Sequence, residues 1–342
     1  MIASWSRNLF RIGSGSHAAA LFARVGLAAG LPLIGFTLVG HPQAAVAGGA
    51  TALFVCMCDI GITRRGRVLT MLAGTAAILA GGVIGHEWGR NTYADEALVL
   101  ASAAVAGWVS NSHPGISAIA RFGALATAAG AGFHVADPLT SWAIVVGGAA
   151  AIGTALAAWS VTGIPPADNQ MDWRAGVRRA FAGADAGPWY AICFAAAAAT
   201  SLLAAERLGV SNAYWATLTV LMVMRREGMV SLGLMVQYMA GTLAGIPIAY
   251  VLSQAVHEPL AIALLTTVVG ASARLGLALN PALGYTAFTA FLMLIVDLSS
   301  HNAGVTPPLL LTRLYDVGVG CAISIFGILL ASLSVRKRAG RP

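Results

Sequence analysis

Arg313 and Asp316 stand three residues apart inside a long apolar run, 309–335. On a helix, that spacing puts both side chains on one face. Each is costly in hydrocarbon, and pairing lowers the cost. Two readings follow. Either Asp316 takes up and releases a proton while Arg313 holds an anionic substrate, or the two form a fixed ion pair that locks helices together. Arg121 and Arg24 also fall inside apolar runs, and an arginine's planar fork matches the two oxygens of a carboxylate. Arg121 is a candidate for such binding. Arg24 lies nearer a run end and is expected to snorkel, and Arg274 reads as an anchor at the inner face. Tyr214 and Trp215 offer adjacent rings that could stack on an aromatic substrate at an outer mouth; a place in the interfacial aromatic belt is the plain alternative. Asp59 is expected to pair with Arg64 or Arg65. Asp297 and His301 read as solvated residues at a run end. The pathway candidates are therefore Arg313, Asp316, Arg121, Tyr214 and Trp215, with Asp316 as the proton-coupling residue.

The chain that must position them has 342 residues, 58% hydrophobic and only 10% charged, with mean hydropathy +0.79. Soluble domains carry roughly 25% charged residues, so this composition calls for an all-α integral membrane protein. Helices of about 20 apolar residues span the hydrocarbon core. Twelve such segments are expected: 18–39, 44–60, 67–85, 95–110, 116–135 and 138–161, then 189–208, 213–224, 232–253, 259–275, 281–298 and 309–335. Ala45-Val46-Ala47 resembles a signal cleavage site but lies too far into the chain, beyond the usual 15–30 residues. The first run is therefore read as a permanent helix.

Net charge is +7, but the basic residues sit in short clusters between apolar runs, without the aromatic-interleaved basic face of a nucleic-acid binder. They set topology instead. With the N-terminus inside, Arg7, Arg11, Arg64, Arg65, Arg67, Arg174, Arg178, Arg179, Arg225, Arg226, Arg336, Lys337, Arg338 and Arg341 all fall in the cytoplasm, and only Arg90 and Arg207 fall outside. This positive-inside pattern places both termini in the cytoplasm of a multi-pass inner-membrane protein. Trp88, Trp108, Trp142, Trp159, Trp189 and Trp215 lie near segment ends, as expected of an interfacial belt. Cys56, Cys58, Cys193 and Cys321 lie in apolar runs without metal-ligand spacing, and His41, His86, His134 and His257 form no helix-borne metal pair. No metal or cofactor is expected.

The halves resemble each other. Leu72-Ala73-Gly74-Thr75 returns as Met239-Ala240-Gly241-Thr242, an offset of 241 − 74 = 167, and Pro114 returns as Pro281 at the same offset. Two parallel six-helix repeats follow, over 1–161 and 189–335, with a cytoplasmic linker at 162–188 and a basic tail at 336–342. Gly26-x-x-x-Gly30, Gly81-x-x-x-Gly85 and Gly241-x-x-x-Gly245 suit close helix contacts. Pro114 and Pro281 mark either helix breaks or helix starts.

Residues 214–220 (Tyr-Trp-Ala-Thr-Leu-Thr-Val), Met239-Ala240-Gly241-Thr242-Leu243-Ala244-Gly245 and Arg313-Leu314-Tyr315-Asp316-Val317-Gly318-Val319-Gly320 resemble the fusaric acid resistance-type aromatic acid exporters. The resemblance covers most of 210–330. Val317 departs from the threonine usual there, and Gln237 stands where a basic residue is common. The resemblance implies proton-coupled efflux of aromatic or other organic acid anions. A passive organic-anion channel and an accessory subunit of an efflux complex remain as alternatives. The bilayer and a small organic anion are the expected partners; an efflux partner protein or a homo-oligomer stays open. No Walker loop, His-Glu-x-x-His or Gly-x-Ser-x-Gly motif appears, so no enzyme is expected.

Overall fold

The computed structural model describes residues 18–61, 63–89, 92–110, 112–132, 138–162, 173–182, 187–210, 212–300 and 305–339. Every regular element among them is an α-helix. In chain order these are α1 (Ala18–Leu38), α2 (Pro42–Met57), α3 (Arg64–Trp88), α4 (Thr92–Trp108), α5 (Pro114–Gly132), α6 (Pro138–Thr162) and α7 (Trp173–Ala182). Then come α8 (Gly187–Arg207), α9 (Tyr214–Val223), α10 (Gly228–Ala255), α11 (Pro259–Leu279), α12 (Pro281–Ser299) and α13 (Pro307–Ala339). Each of the twelve expected segments overlaps one of these helices among the described residues. Eight of the described helices are long and apolar enough to cross a membrane, and α2 and α9 are shorter apolar helices. The chain is an all-α membrane protein.

Six helices begin on proline: α2, α5, α6, α11, α12 and α13. Proline suits the first helical position because the N–H it lacks would have no partner there. Pro114 and Pro281 are therefore ordinary helix starts. Side chains cap two of these starts at matching places. His113 Nδ1 accepts from the Gly115 N–H at 3.0 Å, and Asn280 Oδ1 accepts from the Ala282 N–H at 2.8 Å. The offset is again 280 − 113 = 167. Replacing His113 by alanine should lower stability by about 1 kcal/mol, the usual worth of an N-cap. Asparagine there should recover most of that, and thermal unfolding in detergent checks both variants.

The helix bounds follow the same offset. Adding 167 carries Thr92 to Pro259, Pro114 to Pro281, Gly132 to Ser299 and Trp88 to Ala255, each of which bounds the corresponding helix.

The chain forms two compact units. The first comprises residues 1–57, 138–165 and 233–314, and the second 58–137, 166–232 and 315–342. Neither unit coincides with 1–161 or 189–335. The first joins α1, α2 and α6 to α11, α12 and most of α10. The second joins α3, α4 and α5 to α7, α8, α9 and the larger part of α13. In the first unit α1 packs on α2, α6 and α11, and α11 packs on α12. In the second α4 packs on α8, and α5 on α3 and α9. Small residues set the closest approaches. A Cβ on Gly241 would lie 2.6 Å from Tyr285 Cβ, and one on Gly245 would lie 2.9 Å from Thr289 Cβ, so α10 and α12 meet backbone to backbone. Gly30 faces Thr267 of α11 in the same way, and Gly81 faces Gly123 and Thr127 of α5. Such faces let helices associate where lipid supplies no hydrophobic drive.

Candidate functional site

In the first unit, Arg313 lies on the opening turns of α13 and is fully buried, 0% exposed. Its Nη2 donates to the Tyr238 hydroxyl at 2.8 Å, and its guanidinium carbon sits 5.8 Å from the centre of the Tyr238 ring. The Tyr238 and Tyr285 rings are 4.6 Å apart and tilted at 59°. Tyr238 comes from α10 and Tyr285 from α12, the two helices that glycine draws together. The result is a buried cation beside the Tyr238 ring, which is itself packed on Tyr285. Sequence reasoning singled out Arg313 and missed both tyrosines; the available signal was a tyrosine three residues before Gly241 on an otherwise apolar helix.

The same unit buries Asp297, 1% exposed, where a solvated residue was expected. Ser253 Oγ donates to Asp297 Oδ2 at 2.8 Å and accepts from the Val305 N–H at 2.8 Å. The hydroxyl thus joins the ends of α10 and α12 to the backbone leading into α13, and that junction excludes water from the carboxylate. His301 lies outside the described residues. Arg24 is also buried, 8% exposed, rather than extended to a surface.

In the second unit the organising element is α9. Its ten residues rise about 15 Å, half of the roughly 30 Å hydrocarbon thickness. The helix stops at Val223, and Met224 turns to extended backbone. A helix end leaves carbonyls without intrahelical partners, and Arg121 takes two of them. Its Nη1 donates to Leu221 O, and its Nη2 donates to Met224 O at 3.2 Å. Nη2 also donates to Ser110 Oγ at 2.8 Å, and Nε donates to Ser117 Oγ at 3.4 Å. The guanidinium carbon lies 5.3 Å from the Phe194 ring centre. Arg121, a candidate for carboxylate binding, lies at the negative end of this short helix and donates to its carbonyls.

Tyr214 and Trp215 start α9, their rings 6.1 Å apart and nearly perpendicular. Trp215 is 1% exposed and so sits in the protein interior, not in an interfacial belt. Trp159 is likewise buried, whereas Trp88, Trp108, Trp142 and Trp189 keep exposed surface. Arg121 and the Tyr214/Trp215 pair are held at opposite ends of α9 and do not form one site.

Asp316 is fully buried on α13. Gly320, one turn on and on the same face, packs against Ala216 and Thr219, and Gly327 packs against Met224. The two helices therefore run parallel. Continuing that register back one turn sets Asp316 level with the first turn of α9, where a helix favours negative charge. The half-helix thus has a buried acid level with its positive end and a buried arginine on its negative end. At the equivalent offsets the first unit has Ala149 and Phe288, and Phe288 packs on Phe54 with ring centres 6.1 Å apart. Beside α3, Asp59 pairs with Arg67 at 3.6 Å.

No curated protein and no solved structure matches the chain. The family model described as fusaric acid resistance protein-like matches residues 190–327, a stretch holding α9, Tyr238, Arg313 and Asp316, and it is to that family that this segment of the chain is similar.

Proposed function

We propose that the chain is a membrane transporter that exports aromatic or other organic acid anions in exchange for protons. One observation carries this reading. Two fully buried ionisable groups, Arg313 and Asp316, lie one helical turn apart on an apolar helix long enough to cross a membrane. Intramembrane ionisable residues mark ion and substrate pathways. The guanidinium suits a carboxylate, and the Tyr238 ring beside it, packed on Tyr285, suits an aromatic body. Asp316 is the group that would carry the proton. The family description, which refers to fusaric acid resistance, agrees with an efflux role, and we read the chain as a transporter rather than an enzyme.

In this reading the chain crosses the inner membrane twelve times, as repeats 1–161 and 189–335, with both termini, the 162–188 linker and the 336–342 tail in the cytoplasm. The shared offset of the helix bounds supports the repeats, and the basic loops support the orientation. The short α9 completes its crossing with non-helical backbone, which a membrane tolerates only where protein or a cavity surrounds it.

Inverted vesicles loaded by an imposed proton gradient and offered a panel of organic acids test the proposal. Wild-type vesicles should accumulate a substrate only with the gradient. Asp316→Asn should abolish gradient-driven accumulation. Undiminished coupled transport in that variant would remove Asp316 from the mechanism, and gradient-independent flux that survives it would mark a passive anion channel.

A further inference from the structure

The ten-residue helix α7 is too short to span a bilayer, and no transport role uses it. Its two faces differ sharply. Trp173, Gly176 and Ala180 face the segment that joins α4 to α5. The Trp173 ring stands edge-on to His113 with centres 5.8 Å apart. Gly176 lies so close that a Cβ there would be 2.7 Å from His113 Cβ. Trp108 Nε1 donates to Ala180 O at 2.8 Å, and Arg179 Nη2 donates to Ser112 O at 3.2 Å. The opposite face presents Arg174, Arg178 and Phe181, spaced four and three residues apart and all exposed, with Phe181 86% exposed.

Two outward arginines beside an outward phenylalanine match a bilayer surface. Guanidinium forks bind phosphate in a bidentate way, and an adjacent aromatic enters the headgroup–acyl boundary. Trp108, partly exposed and anchored to α7, is the kind of residue that sits at headgroup depth. We propose that α7 is a surface helix that binds anionic lipid headgroups through Arg174 and Arg178. Its docking face then carries lipid occupancy inward. The segment held by Arg179 and Trp173 also contains Ser110, whose hydroxyl accepts from Arg121, and Arg121 holds the last carbonyls of α9. Lipid on α7 steadies the end of the half-helix, whatever solute the protein moves.

The test uses the full chain in nanodiscs of phosphatidylcholine alone or with about 30% phosphatidylglycerol. A fluorophore on Ala182→Cys reports contact with spin-labelled lipid, and the native cysteines are buried. Anionic discs should quench it more strongly, and R174Q/R178Q should weaken that response about 10- to 30-fold in anionic-lipid titrations, given the usual effect of each basic residue at such a surface. R174K/R178K should retain most of it. Equal quenching in neutral and anionic discs overturns the proposal. So does inorganic phosphate reproducing the response in neutral discs, which would mark a soluble-anion site. Hydrogen exchange reads the second step. Amides of 222–226 should gain protection in anionic discs with the wild type and not with R174Q/R178Q. Unchanged protection despite intact lipid binding overturns the link to α9.

Discussion

Replacing Arg121 by methionine should destabilise the second unit by roughly 2–4 kcal/mol, read as a lower unfolding midpoint in detergent. Two effects oppose each other. Removing a buried guanidinium relieves its desolvation, which on its own can make an apolar replacement neutral or better. The acceptors it leaves behind stay buried, and each orphaned buried polar group costs about 1–3 kcal/mol. Arg121 serves Leu221 O, Met224 O, Ser110 Oγ and, at the longest distance, Ser117 Oγ. Arg225 Nη1 also donates to Met224 O at 2.9 Å, so that carbonyl keeps a donor. Leu221 O loses its bond from Arg121 at the end of a helix with little length in reserve. The orphaned acceptors outweigh the relief. Arg121→Lys should restore part of the loss, because one ammonium reaches fewer of the four acceptors. An unchanged midpoint in the methionine variant would show that α9 ends where it does for another reason.

Arg313→Lys should leave transport at about 1–10% of wild type while the unfolding midpoint barely moves. The charge is kept, so the electrostatics around α13 survive. What is lost is the fork that engages two carboxylate oxygens at once. A charge-assisted hydrogen bond is worth about 1.5–3 kcal/mol, and each 1.4 kcal/mol is tenfold in affinity. The loss should appear as a higher half-saturating substrate concentration. Tyr238→Phe, which removes the acceptor that aims Arg313, should shift the same quantity less. If Arg313→Lys lowers stability and leaves half-saturation alone, Arg313 is a structural tie and not a substrate contact.

The helices were legible because apolar runs ending near proline leave the backbone few alternatives; Pro259 and Pro281 open helices where the runs suggest. The end of α9 was not legible. Val220 to Met224 is an unbroken apolar run, and it stops being helical beside a side chain about 100 residues earlier in the chain. Helix α7 was hidden for the opposite reason: its polarity reads as linker, and only its docking on His113 and Ser112 gives it a place. Trp215 and Trp189 look alike locally, each near a segment end, yet one is buried and the other half-exposed. Asp297 has the polarity of a solvated residue, and its burial depends on Ser253 and Val305, which no local pattern connects to it.

The interleaving of the two units along the chain has a consequence for biosynthesis. The first unit opens with α1, yet it is completed only by residues 233–314, which include Arg313. The second unit begins at Cys58 and closes only with the end of α13. Neither can be completed while only the first six segments have left the ribosome. The Gly26 and Gly30 face of α1, which packs on α11, must wait in the bilayer turned to lipid or to an insertion factor. The assembly of both units therefore waits until α11, α12 and α13 arrive to fill positions held open for them.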